Sequence, residues 1–318
     1  MKKVAKAMIP FAVNRPTLWQ RIRRQKWVLL MLLPLLILTI VFSYLPLAGW
    51  TMAFTDYNIG DRLFGNPWTG FKQFIRLGTY SSDLTRLLRN TVVINFVSVF
   101  NNLACALVMT LLLREVKWKF GAKAVQTVTF FPYFVSSVIA YAIINSLFSV
   151  NSGAINMALV RAGVVKRGFN FLGDAKYSWG LMILVNLWKY TGYNCVLFMA
   201  AAAGIPMDQY ESADIDGATR FQKAVYITLP SLLPTAAVLL IMNSGWILNS
   251  SLDMFMVFQN TTNMETMEVL DMYIYKYGLK LMDYSYATAA GIAKTAVSLL
   301  LLVIVNKTVK KLSGTGIF

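Results

Sequence analysis

Histidine is absent from all 318 residues, and acidic side chains are scarce, 14 Asp and Glu against 30 Lys and Arg. Without histidine the chain has no His-activated nucleophile, no His proton relay and no His-based zinc site. Its two cysteines, Cys105 and Cys195, both fall inside apolar runs and lack metal-ligand spacing, so they are expected as small core fillers. No GxxxxGK[ST] phosphate cradle occurs, so if the protein uses ATP another subunit must bind it. No nucleophile–base pair suggests an intramembrane enzyme. Charge of either sign is sparse as well, at 14% of residues where a soluble domain carries roughly a quarter.

What fills the chain instead is apolar, 57% of residues. A bilayer core of ~30 Å needs about 20 such residues in a helix. Six segments qualify, at about 27–49, 88–113, 124–149, 177–205, 231–255 and 284–306. They make residues 27–306 an all-α, polytopic membrane domain. The first span is expected to be an uncleaved signal anchor, because it is longer than a signal-peptide core and no small-x-small site follows it.

The net charge of +16 is unevenly placed. A basic tail over residues 1–26 carries Lys2, Lys3, Lys6, Arg15, Arg21, Arg23, Arg24 and Lys26. The link after the second span holds Arg114, Lys117, Lys119 and Lys123, and the tail over 307–318 holds Lys307, Lys310 and Lys311. Six crossings put all three on one side, which is then cytoplasmic, with both termini inside. The basic residues are expected as topology signals, and no nucleic-acid partner is expected.

One cytoplasmic loop, residues 206–230, departs from that pattern. "YESADIDGATRFQKAVYITLP" places Glu211, Asp214 and Asp216 where a merely topogenic loop would be basic. Pro206 suits a first helical turn, and Asp208 and Glu211 suit the positive end of the helix dipole. Tyr210, Ala213, Gly217 and Phe221 are expected on one small and aromatic face. Gly217 permits a left-handed or closely packed backbone at the end of a first short helix. A second helical stretch, Thr219–Tyr226, leads to Pro230, expected to help re-aim the chain into span five.

The stretch resembles a motif in the membrane subunits of binding-protein-dependent ABC importers: Glu-Ala-Ala, three residues, Gly, nine residues, Ile-x-Leu-Pro. Here Glu211-Ser212-Ala213 is followed at those spacings by Gly217 and by Ile227-Thr228-Leu229-Pro230. Ser212 stands where the family usually has Ala. "RNTVVIN", "QTVTFFPYFVSSVIAYAI" and "YSYATAAGIAKTAVSLLLLVIVNKTVKKL" extend the likeness to the sugar-importer branch, particularly permeases for oligosaccharides and complex polysaccharide fragments such as alginate. The resemblance implies the six-helix type I importer permease fold in a bacterial cytoplasmic (inner) membrane. It further implies a second homologous permease in a heterodimer, two ATP-binding subunits that hold ATP and magnesium, and a periplasmic or lipid-anchored solute-binding protein. Glu211, Ser212, Ala213, Asp216, Gly217, Ile227, Leu229 and Pro230 would then couple this chain to an ATPase subunit.

For the substrate pathway, polar and aromatic groups in three spans are the candidates. Span four is expected to present Asn186, Lys189, Tyr190 and Tyr193 on one face, and span five Asn243, Trp246, Ser250 and Asp253. Span six groups Gly291, Lys294, Thr295 and Ser298. Such faces suit a sugar, with rings on aromatics and hydroxyls on amides. Lys189 and Lys294 suit a carboxylated sugar, or else form an internal salt bridge, for instance to Asp253. Arg161, Lys166 and Arg167, or Glu265 and Glu268, are candidates for meeting the binding protein. A secondary transporter or a structural subunit of a membrane complex are the alternative readings, but neither explains the 206–230 loop.

Overall fold

A computed structural model describes residues 18–79, 81–314 and 316. The expected tail residues Lys2, Lys3, Lys6 and Arg15 lie outside them. Two compact units divide the chain, Met1–Thr51 and Met52–Phe318.

In the first unit α1 (Leu18–Arg24) precedes α2 (Lys26–Thr39), which continues through a π turn, Ile40–Tyr44, into a 3-10 stretch, Leu45–Phe54, whose last three residues belong to the second unit. Leu, Ile, Val, Met and Trp cover all sides of α2, and none of its side chains is buried within the chain. A helix that is apolar all round and unburied is built to face lipid.

The second unit begins with α3 (Lys72–Thr79), followed by α4 (Ser81–Glu115), a helix of 35 residues. At 1.5 Å per residue it is about 52 Å long, more than a bilayer core requires. Next come α5 (Lys119–Phe130), α6 (Ser137–Phe148), α7 (Ala154–Arg161) and α8 (Ala175–Ala202). The expected third span is broken: α5 with its 3-10 extension Phe131–Phe134 meets α6 at 109°. Extended backbone at Val135 and Ser136 makes the corner, and the Ser136 hydroxyl caps α6 by accepting from the Ile139 amide.

The chain continues through α9 (Met207–Ile215), α10 (Arg220–Lys223), α11 (Leu229–Ser244), α12 (Leu252–Phe258), α13 (Met264–Met267), α14 (Leu270–Tyr275) and α15 (Tyr284–Ser313). Asp283 caps the start of α15, and Gly314, at φ 68°, ends it. No strand forms among the described residues; Thr55 and Trp68 make an isolated bridge.

Four helical stretches are long and apolar enough to cross a membrane: Lys26–Phe54, Asp83–Glu115, Arg220–Ser244 and Tyr284–Lys311. The bent α5–α6 pair makes a fifth if counted as one span. At 28 residues α8 has the length, but it carries Lys176, Asn186, Lys189 and Asn194 and lies inside the bundle rather than on its surface. Its main neighbour is α4. Ile94 packs with Leu181, Met182, Val185, Phe255 and Phe258, and nearer the 206–230 loop Ala106 and Leu113 pack with Cys195, Phe198, Ala202 and Leu232. Close approach of α8 to α5 depends on Gly192, where a Cβ would collide with the Thr129 carbonyl. Cys195 is the core filler expected, whereas Cys105 is exposed on α4.

The fifth span differs most from expectation. Its helix starts at Arg220, not near Ser231, and stops at Ser244, not near Phe255. A π turn over Ala224–Thr228 bridges α10 and α11 and contains the carbonyl of Tyr226, which Pro230, having no N–H, cannot satisfy. Pro230 therefore sits inside a continuous helix and does not re-aim the chain.

Candidate functional site

The 206–230 loop is where the chain reverses. Gly217 adopts φ 74°, the Ala218 amide donates to the Ala213 carbonyl (2.9 Å), and the Gly217 amide to that of Asp214 (3.2 Å). These two bonds close α9 with a Schellman cap. Two residues later Thr219 and Gln222 form a capping box that opens α10, with Thr219 N to Gln222 Oε1 at 2.8 Å and Gln222 N to Thr219 Oγ1 at 3.3 Å. Lys223 bridges the reversal to Asp214 at 2.6 Å. A Cβ on Gly217 would meet nothing within 4 Å, so its conformation, and not packing within this chain, is what requires glycine.

Tyr210 anchors the reversal to the bundle. It packs against the Ala106–Phe198 cluster, its hydroxyl lies 2.8 Å from Thr228 Oγ1, and the Arg114 guanidinium sits 5.2 Å from its ring centroid. Arg114 also donates to the Ala202 carbonyl at the end of α8. Arg114 and Tyr210 together thus join the ends of α4 and α8 to the start of the fifth span. The single face expected for Tyr210, Ala213, Gly217 and Phe221 does not exist as such: Tyr210 turns inward, while Phe221 is 78% exposed. Ile215 and Tyr226 are exposed as well, and Tyr226 lines a shallow cavity of about 270 Å³ with Ala213, Asp216, Gly217 and Ile227. Glu211 and Ser212 are exposed, and Glu211 makes no ion pair among the described residues.

Within the membrane-spanning bundle lies a second feature, a cavity of about 550 Å³. Four of the expected pathway residues, Asn186, Tyr193, Asn243 and Trp246, line it together with Tyr190. Sequence reasoning did not assign Asn95, Ser98 and Asn102 of α4, Tyr133 at the corner before α6, or Asn194 and Asn249. The 95, 98, 102 spacing is a helical polar stripe that was available as a signal. Tyr133 stacks on Tyr193, centroids 4.7 Å apart and planes 16° from parallel, giving one wall an aromatic surface.

Lys189, Asp253 and Lys294 do not line this cavity. Lys294 pairs with Asp271 at 2.5 Å, and the other Asp271 oxygen accepts from the Ser250 amide at 2.6 Å. Its partner is therefore Asp271, not Asp253. Asp253 accepts from Ser137 Oγ at 3.0 Å and lies in α12, beyond the turn at Gly245–Leu248 that ends the fifth helix. That turn separates Asn243, Trp246, Ser250 and Asp253, which therefore share no helical face. Lys189 is buried, makes no ion pair among the described residues, and has Nζ 6.0 Å from the Tyr190 ring centroid. Of the residues considered for meeting a binding protein, Arg161, Lys166, Arg167 and Glu265 are exposed. Glu268 is buried and ion-paired to Arg86 (3.0 Å) and Lys276 (3.7 Å), so its role is internal.

Residues 91–313 match the family described as binding-protein-dependent transport system inner membrane component. The chain is 34% identical over 297 residues to protein LplB of Bacillus subtilis (strain 168), covering 93% of this chain and 92% of that one. It is 35% identical over 305 residues to the polygalacturonan/rhamnogalacturonan transport system permease protein YteP of the same organism, covering 96% and 94%. Among solved structures, a chain of a bacterial alginate ABC transporter in complex with alginate pentasaccharide-bound periplasmic protein superposes with a TM-score of 0.84 at 33% identity, covering 95% of this chain and 100% of that chain.

Proposed function

We propose that this chain, which belongs to the family of inner membrane components of binding-protein-dependent transport systems, is the permease subunit of an ATP-driven saccharide importer. The observation that carries the coupling part of this reading is the reversal at residues 216–219. Two back-to-back caps fix its shape, Tyr210 and Arg114 tie it to three membrane helices, and its outer face remains open. A segment so built transmits displacement as a rigid body. Glu211, Ser212, Ala213, Asp216 and Gly217 would meet an ATPase subunit, with unpaired Glu211 facing an Arg or Lys there. Ile227, Leu229 and Pro230 would carry the movement into the fifth span.

ATP and magnesium would be held by two ATP-binding subunits. A second permease would complete the pathway, and a solute-binding protein would deliver the sugar on the outer side of a bacterial cytoplasmic membrane. Saccharide as cargo, including uronate-rich chains, rests on the relatives' substrates and on the amide and aromatic lining of the cavity.

Co-purification followed by reconstitution tests the reading. The chain should bring down an ATPase and a second permease, and vesicles holding the complex should take up oligosaccharide only with ATP and binding protein present. A chain that purifies alone and transports without ATP would instead be a secondary transporter.

A further inference from the structure

Taking the importer reading as its premise, the cavity carries a more specific message in the way its amides point. Asn186 Nδ2 donates to the Met182 carbonyl at 2.9 Å, Asn194 Nδ2 to that of Tyr190 at 3.2 Å, and Asn243 Nδ2 to that of Leu239 at 2.7 Å. Asn95 donates twice, to the Ile247 carbonyl at 2.8 Å and to Ser250 Oγ at 3.0 Å. A backbone carbonyl only accepts, so these bonds fix which end of each amide faces it. The Oδ1 atoms of all four are left without a donor from the described chain. Asn102 is turned the other way, its Oδ1 accepting from Thr191 Oγ1 at 3.3 Å. Ser98, also in the lining, is buried with a hydroxyl that has no partner among the described residues. No Lys, Arg, Asp or Glu is among the residues lining the cavity: Lys294 is paired with Asp271, and Lys189, buried behind the lining Tyr190 with Nζ 6.0 Å from its ring centroid, is not part of the wall.

We infer that this cavity reads sugar hydroxyls as hydrogen-bond donors, through the amide oxygens of Asn95, Asn186, Asn194 and Asn243, and does not select for the carboxylate of an acidic sugar. Sugar hydroxyls donate, whereas an ionised carboxylate only accepts and meets four further acceptors here. The aromatic wall of Tyr133 and Tyr193 gives the ring faces a surface that is equally indifferent to charge. Discrimination between acidic and neutral chains then falls to groups outside this cavity, and the membrane step handles both.

The test uses the reconstituted complex, with its partner permease, ATPase and binding protein. ATP-driven uptake of a galacturonate trisaccharide is compared with that of its carboxyl-reduced, neutral counterpart. Each variant is scored as a ratio to the unaltered complex for the same sugar, so the binding protein's own preference cancels. Asn186→Leu combined with Asn243→Leu should lower uptake of both sugars by the same factor, about tenfold or more, since two acceptors are lost. Asn243→Asp keeps an acceptor and adds a charge. It should hold the neutral sugar within about threefold while lowering the acidic one at least about tenfold further. Where the double variant fails to co-purify with the ATPase, Asn243→Asp decides alone. Loss confined to the acidic sugar in the Leu variant, uptake of both within about twofold, or equal loss of both in Asn243→Asp overturns the inference while leaving the importer reading intact. An unaltered complex that hydrolyses ATP yet imports neither sugar overturns the saccharide reading and this inference with it.

Discussion

The reversal at residues 216–219 and the cavity among the helices are built in opposite ways. At the reversal the amides of Gly217, Ala218, Thr219 and Gln222 all find local partners: the Schellman cap, the capping box and the Asp214–Lys223 pair act within the eleven residues 213–223. In the cavity four of the six lining asparagines, Asn95, Asn186, Asn194 and Asn243, spend their donors on the chain and leave Oδ1 without a donor from the described chain, and the wall is gathered from α4, the corner at Tyr133, α8, α11 and the segment that follows it. The first arrangement holds one shape against an applied load. The second offers hydrogen bonds to something that passes. Substitutions in the reversal should therefore affect all cargo alike, and neutral substitutions in the cavity should separate cargoes by the ring faces and hydroxyls they present, not by their charge.

The sharpest way to break that contrast is Gly217→Val. A β-branched residue at φ 74° costs about 2 kcal/mol or more and distorts the outer face. Uptake of every sugar should be abolished while the chain still inserts, as seen by membrane fractionation; normal uptake would remove the coupling role. Lys294→Met comes next. It leaves the half-buried Asp271 without its cation, which should destabilise the bundle by about 3 kcal/mol in a detergent melt, and Asp271→Leu in the same chain should restore most of the loss. Persistent loss in the double variant would instead give Lys294 a role beyond that pair.

Tyr193→Ala should fall in between. Removing the ring stacked on Tyr133 is expected to cost about 1 kcal/mol of sugar interaction, raising the apparent KM for uptake by an amount that differs between oligosaccharides. A uniform change across sugars would blur the distinction between the two regions. The smallest effect is expected from Tyr210→Phe, which deletes the bond to Thr228 but keeps the ring beneath Arg114. A loss of about 1 kcal/mol should appear as more ATP hydrolysed per sugar imported, with assembly unchanged. An unaltered ratio would assign the Tyr210 anchor to its ring alone.

The two regions were not equally readable in the sequence. Glu211 to Pro230 is contiguous, and its caps are local chemistry, so Gly217 and the α9 helix could be placed from spacing. Even there the periodicity misled on two points. Tyr210 and Phe221 fall on different sides because the chain reverses between them, and Pro230 continues a helix because a π turn precedes it. The cavity was half legible. Asn186, Tyr193, Asn243 and Trp246 came from polar faces on single helices, whereas Asn95, Ser98, Asn102 and Tyr133 join them through packing of α4 against α8 and through the corner after Pro132. Carrying a helical face past Ser244 put Asp253 with Asn243, where the turn at Gly245–Leu248 separates them. Pairing of Lys294 with Asp271 was out of reach, since it joins groups on α14 and α15 across a turn that no periodicity describes.

The uninterrupted helix from Arg220 to Ser244 has a mechanical consequence. Phe221 at one end stands exposed beside the reversal, and Asn243 near the other forms part of the cavity wall. Those residues are about 33 Å apart along the axis at 1.5 Å per residue. If the helix pivots as a stiff rod about its Arg220 end, a tilt of about 10° sweeps Asn243 and its amide oxygen sideways by about 6 Å, more than one turn's pitch. The rod would thus act as a crank: a small angular stroke at its base becomes, at its tip, a displacement long enough to take an acceptor out of reach of a bound hydroxyl.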